Sequence, residues 1–150
     1  TACLEAIRTA KENSDFVFMY VHWGTESTTE LDQEQKDLAR LYIEAGADAV
    51  IGNHPHVLQG FEFYQGKPIL YSQGNFWFNT KSRETCLLEF TIDSETMESQ
   101  VRFIPCLQED SFTSVVTEES ERERMFAYME SLSPGVEIDP EGIVTESSGQ

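Results

Sequence analysis

Apolar positions first recur at helical spacing. Leu4, Ile7 and Ala10 fall three residues apart and predict a helix over residues 1–12. Asn13-Ser14-Asp15 interrupts it. The continuous apolar run Phe16-Val17-Phe18-Met19-Tyr20-Val21 then predicts a strand buried on both faces. That run ends in His22-Trp23-Gly24, and polar residues 25–31 follow as a loop. Asp32 with Gln35 three positions on forms a capping-box pattern. It opens a second helix with Leu38, Leu41 and Ala45 on one face and Gly46 as its stop. Asp48-Ala49-Val50-Ile51-Gly52 predicts another short buried strand, followed at once by Asn53-His54-Pro55-His56.

Beyond residue 56 the pattern changes to strand after strand. Residues 57–64 and 68–73 predict a hairpin around Gln65-Gly66-Lys67. Gly74-Asn75 punctuates the chain before Phe76-Trp77-Phe78. Residues 85–92 and 97–106 predict a second hairpin turning on Asp93-Ser94-Glu95-Thr96. An acidic surface helix is expected over 118–132, with Met125, Phe126, Met129 and Leu132 on its apolar side. Residues 133–150, polar and carrying Pro and Gly, are expected to form a poorly ordered tail. The predicted class is therefore α/β, with a mixed sheet early and antiparallel hairpins late.

At 150 residues the chain fits one domain, and ten Phe within a 39% hydrophobic composition supply a core. No run of about 18 apolar residues occurs, so no membrane-spanning helix is expected. The net charge of -17 is unevenly spread. Residues 1–83 carry 11 acids and 7 bases, a net of -4; residues 84–150 carry 16 acids and 3 bases, a net of -13. Such a surface repels phosphate backbones and anionic lipid, which argues against nucleic-acid binding. Cys3, Cys86 and Cys106 are odd in number and lack CxxC spacing, so they read as small core hydrophobes. Cys86 and Cys106 are expected to be inward-pointing neighbours across the second hairpin.

The three histidines of the chain all follow predicted buried strands. Ligands of open α/β sheets bind beyond the carboxyl ends of the strands. A single histidine there would read as an ordinary hydrogen-bonded turn residue; all three together point to metal ligation. In extended backbone, residues i and i+2 face the same side, and Pro55 biases His54 toward that region. His54 and His56 are thus expected to aim at one ion, or at two ions about 3.5–4 Å apart. Imidazole suits zinc and iron, and manganese sites add carboxylate or water. Glu26, Asp48 and Asn53 are the candidate oxygen ligands, although Asp48 also fits a strand start and Asn53 a turn.

Three segments carry a family resemblance: His22-Trp23-Gly24-x-Glu26, the run Gly46 to Val57 containing Gly52-Asn53-His54-Pro55-His56, and Tyr71-Ser72-x-Gly74-Asn75-Phe76. In this order they resemble the CapA family of poly-γ-glutamate and capsule biosynthesis, which is similar to the calcineurin-like metallophosphoesterases. The resemblance implies a partial metallophosphatase-like sandwich over residues 1–132, the later part of the family domain. It implies that His22 and His54 ligate one divalent ion (Mn, Zn or Fe) and His56 a second. The family's earlier motifs, with the bridging carboxylate, match nothing in this sequence. This stretch by itself is accordingly expected to be inactive, and the longer protein to hold two ions and perform metal-assisted hydrolysis or transfer.

Around those histidines, Glu26 reads either as an orienting partner of an imidazole or as a solvated loop acid, and the resemblance tips it to function. Trp23 is expected to wall the pocket or to pack in the core. Asn75 is expected to contact substrate oxygens from the rim or merely to shape a turn. The partners implied by the resemblance are an anionic polymer or a synthase complex, with a cell-surface or membrane-associated location. A non-catalytic scaffold for a membrane synthase is the alternative role. Exposed sheet edges would favour a dimer. A structural zinc domain fits badly, because the cysteines lie far from the histidines.

Overall fold

The structure, a computed structural model, describes residues 2–78 and 82–147. Helix α1 (Ala2–Asn13) leads into strand β1 (Phe18–His22), and helix α2 (Gln33–Glu44) into β2 (Ala49–Asn53). Strands β3 (Leu58–Tyr64) and β4 (Lys67–Gln73) form the first hairpin; β5 (Arg83–Ile92) and β6 (Ser99–Glu109) form the second. Strand β7 (Phe112–Val115), helix α3 (Glu119–Ser131), β8 (Val136–Ile138) and β9 (Ile143–Glu146) complete the order.

Two sheets result. The first runs β1-β2-β4-β3, with β1, β2 and β4 mutually parallel and β3 antiparallel at the end. The second is antiparallel, ordered β5-β6-β9-β8, with β7 also on β6. The α/β class, the mixed early sheet and the late hairpins are as expected from the sequence.

Side-chain alternation on β4 divides the core in two. Ile69 and Tyr71 face α1 and α2, joining Ile7, Ala39, Tyr42, Ile43 and Val50. Leu70 faces the other way and joins Phe61, Cys86, Phe103, Met125, Met129 and Val144 beneath the second sheet and α3. A pleated strand sends neighbours to opposite faces, so one apolar run serves two cores. Helix α2 starts at Asp32, whose backbone N–H donates to Gln35 Oε1 at 3.0 Å, as the capping-box pattern required.

Three expectations need correction. Strand β1 is not buried on both faces: Phe18 is 44% and Tyr20 58% exposed. Among the described residues β1 stands at the margin of the sheet, paired with β2, where little packs over the face that carries these two rings. An apolar run records the burial a strand is suited to, and the neighbours it has here leave one side open. The segment from 133 onward is not a loose tail in its described part. Val136, Ile138 and Val144 enter the core, and β9 pairs with β6; residues 148–150 lie outside the described residues. Cys86 and Cys106 are both buried, yet they are not facing neighbours. Cys86 opposes Pro105 and Cys106 opposes Thr85, which puts the thiols on opposite faces of the hairpin. Burial pushes the Cys86 thiol up, so it stays protonated and packs as a hydrophobe.

Candidate functional site

The three parallel strands end at one edge of the first sheet, and each delivers a candidate residue there. His22 closes β1 in register with Asn53 at the end of β2. His54 and His56 follow β2, and Asn75 follows β4. The ladder continues past the strands through Trp23 N–H to Asn53 O, 3.0 Å, and Ser27 N–H to Pro55 O, 2.8 Å. The second bond ties the Glu26 loop to the His54-Pro55-His56 loop. That bond explains how a residue four positions after His22 arrives beside the other two histidines.

Glu26, His54 and His56 converge. Glu26 Oε1 lies 4.0 Å from His54 Nε2 and 3.9 Å from His56 Nε2, and the potential ligand atoms of all three fall within 4.8 Å of one another. The side chains are 62%, 28% and 33% exposed, so the cluster is open to an arriving ion or substrate. The His22 ring lies tilted against His54, with centroids 4.4 Å apart and planes at 51°, and the His56 ring centroid lies 5.8 Å from that of His54. All three histidines are therefore together, with His22 behind His54 rather than in the three-atom group.

The expected geometry of the H-x-H segment is not what brings them together. His54 has φ of 103° and His56 φ of 63°, so neither is extended. Positive φ is uncommon for residues with a side chain and concentrates at functional sites and tight turns. Ser27, in the facing loop, has φ of 61°. Asn53 holds this conformation: its Oδ1 accepts the His54 backbone N–H at 2.8 Å while its Nδ2 donates to Tyr20 Oη at 3.0 Å. Asn53 thus shapes the turn, one of its two sequence readings, and its bond to exposed Tyr20 left no signal in the sequence.

Trp23 is no part of the Glu26–His54–His56 group and takes the packing reading. It is 8% exposed, stacks between Tyr42 and Tyr71, and donates from Nε1 to Tyr71 O at 2.9 Å. A Cβ at Gly52 would collide with both Tyr71 O and Trp23 Nε1, so glycine is what lets the indole lie across the sheet. Asp48 is no ligand either. It bonds to Lys11 Nζ at 2.8 Å, Lys67 Nζ at 2.9 Å and Val17 N–H at 2.9 Å, at the opposite end of β2. Asn75 reaches His56 instead of open space, with Oδ1 2.7 Å from Nδ1. The Phe78 ring lies 5.6 Å from the same imidazole.

Together these features define an α/β protein whose candidate site stands on the carboxyl edge of parallel strands, built from imidazoles and one carboxylate. The chain belongs to the family described as bacterial capsule synthesis protein PGA_cap, which matches residues 1–80, just over half of its length. It is 41% identical over 87 residues to the PGA biosynthesis protein CapA of Bacillus subtilis (strain 168), covering 56% of this chain and 23% of that protein. With the capsule biosynthesis protein CapA of Bacillus anthracis it shares 40% over 83 residues, 53% of this chain and 20% of the relative. A probable polyglutamine synthesis accessory protein of Mycobacterium tuberculosis (strain ATCC 25618 / H37Rv) is 34% identical over 65 residues, 43% and 17% of the two chains. The matched stretches span about a fifth of these relatives, and the family match over residues 1–80 contains every residue of the cluster.

Proposed function

We propose that this chain supplies the histidine part of a divalent-metal site in a protein of capsule or poly-γ-glutamate biosynthesis. Glu26, His54 and His56 are the ligands, and His22 stands ready beside His54. The observation that carries the reading is the convergence of two imidazole Nε2 atoms on one carboxylate oxygen, at 4.0 and 3.9 Å. Those separations are too long for hydrogen bonds. They exceed by a few tenths of an ångström the roughly 3.4 Å between neighbouring ligand atoms around a tetrahedral ion with bonds near 2.1 Å. Two nitrogens and one carboxylate oxygen fit zinc, iron or manganese. Three donors leave positions open for ligands from elsewhere and for substrate. An ion bound there would polarise a substrate oxygen and activate water, the chemistry of hydrolysis or group transfer. Glu26 and the histidines would orient the reacting groups, and the resemblance implies a second ion held partly by residues this sequence does not contain.

Calorimetric titration with Zn²⁺ and Mn²⁺ tests the reading, on the wild type and on a His54→Ala, His56→Ala double variant. Saturable binding that the double variant loses is expected. Binding of equal strength in both proteins, or none in either, would sink it. A second reading, a non-catalytic partner of a membrane synthase, draws on Phe76, Trp77 and Phe78, which are 47%, 65% and 42% exposed beside the cluster. Phosphodiester turnover by a longer form carrying the family's upstream motifs would favour the enzyme. Ion-dependent polymer binding without turnover would favour the partner.

A further inference from the structure

We infer that Asn75 is a positioning residue: it fixes the tautomer of His56 and thereby decides which ring nitrogen the cluster presents to a cation. The inference rests on the metal reading only for the use made of the free nitrogen. The hydrogen bond itself is a property of the metal-free protein.

Asn75 Oδ1 lies 2.7 Å from His56 Nδ1. With the amide oxygen turned to the ring, Asn75 accepts, and this contact selects the tautomer with the proton on Nδ1. In the neutral ring that leaves Nε2 bare, and Nε2 is the atom 3.9 Å from Glu26. The opposite tautomer would place an N–H at the centre of the cluster. It would offer Glu26 a donor and would close the ring to a metal. Ligating histidines are ordinarily oriented in this way, by an acceptor on the nitrogen away from the ion.

The placement of Asn75 is itself secured by tertiary contacts. Gly74, at φ of 70°, turns the chain out of β4, and a Cβ there would stand 2.9 Å from Glu84 O. Ser72 Oγ accepts from Gly74 N–H at 3.2 Å and donates to Val57 O at 2.7 Å, joining the Asn75 turn to the chain just past His56. From the other side, residues of β6, β7 and the turn between them hold the next three residues. Gln108 Nε2 donates to Phe78 O at 2.6 Å, Trp77 Nε1 donates to Ser111 O at 3.0 Å, and Thr113 Oγ1 donates to Phe76 O. The Phe78 ring then flanks the imidazole, with centroids 5.6 Å apart. A residue that merely shaped a turn would have no need to meet a ring nitrogen at this distance.

The test reads the imidazole directly. Two-bond ¹H–¹⁵N correlation spectra are recorded on metal-free, ¹⁵N-labelled protein at about pH 8, where an ordinary imidazole is neutral. Wild type, Asn75→Asp and Asn75→Leu are compared. In wild type and Asn75→Asp, His56 is expected as the Nδ1–H tautomer. In Asn75→Leu it should shift toward Nε2–H, with Zn²⁺ affinity lower by about 10- to 100-fold and partly restored in Asn75→Asp. An Nε2–H tautomer in the wild type overturns the inference even if the Leu variant fails to fold. An unchanged tautomer in a folded Leu variant overturns it as well. If the tautomer behaves as expected and no ion binds to any form, the metal reading fails while the positioning role stands.

Discussion

Asp48 shows how a single side chain can look chemical in sequence and be structural in three dimensions. Its side chain is 7% exposed between Lys11 and Lys67. Burial pushes its carboxyl up, but the bonds from Lys11, Lys67 and the Val17 amide together outweigh burial and hold it below the ordinary value. A lowered folded-state value means the carboxylate adds stability above about pH 4 and loses it as pH falls through the depressed value. Asp48→Asn should therefore cost about 1–3 kcal/mol at neutral pH. It should also flatten the acid limb of the stability curve, measured by urea unfolding from about pH 6 to about pH 3. A variant with unchanged pH dependence would show that the pairings contribute nothing. Gly52 makes a second residue-scale case, since any side chain there meets the Trp23–Tyr71 bond. Gly52→Ala is expected to destabilise by about 1–3 kcal/mol or more through overpacking. Because the next residues are Asn53 and His54, the histidine signals in NMR spectra should shift with it. A silent substitution at both readouts would contradict this account of the glycine.

Elements meet through a few polar fastenings as well as through apolar area. Ser133 follows α3 and is 1% exposed. Its Oγ accepts the Phe61 N–H of β3 at 2.8 Å and donates to Met129 O of α3 at 2.6 Å. Gly60 has no room for a Cβ against Leu132 O, so helix end and strand pass in direct backbone contact. Ser133→Ala would leave a buried backbone N–H without its partner, at about 1–3 kcal/mol. The Phe61 amide should then exchange with deuterium faster relative to its β3 neighbours. Equal protection in both proteins would mean that α3 is docked by Met125, Phe126 and Met129 alone. The chain beyond this point returns as β8 and β9 because Val136, Ile138 and Val144 find the same core. Short strands with mixed polarity carry too little periodicity to be read in isolation.

At the scale of the molecule, charge is the dominant asymmetry. Thirteen of the seventeen net negative charges fall in residues 84–150, whose described part builds the second sheet and α3. Arg124 is spent on Glu84 and Glu121, and Arg102 on Glu89. The remaining acids repel one another, and compaction brings them closer. Raising NaCl from about 10 mM to about 150 mM shortens the Debye length from about 30 Å to about 8 Å. The melting temperature should then rise by about 1–4 °C, the shift expected for roughly 0.5–1 kcal/mol in a chain this size. A flat or falling melting temperature in a calorimetric salt series would show that the acids are too far apart to matter.

Local pattern alone determined much of this protein. The helical stripe of Leu4 and Ile7, the Asp32–Gln35 cap, the two hairpins and the apolar side of α3 are short-range features, and short-range physics reads them. So is the placement of all three histidines at or just past strand ends, which pointed to the candidate site. Tertiary structure decided what depends on distant neighbours. Whether Phe18 and Tyr20 are covered depends on which strands flank β1. Whether Trp23 faces a pocket or a core depends on Tyr42, Gly52 and Tyr71. Whether Asn75 touches substrate or His56 depends on where β4 ends relative to β2. Even the approach of His54 to His56 came from positive φ angles held by Asn53 and the Ser27–Pro55 bond, and not from the extended spacing of the motif. Spacing along a chain sets which side chains are available, and the hydrogen bonds and packing of remote segments set where they point.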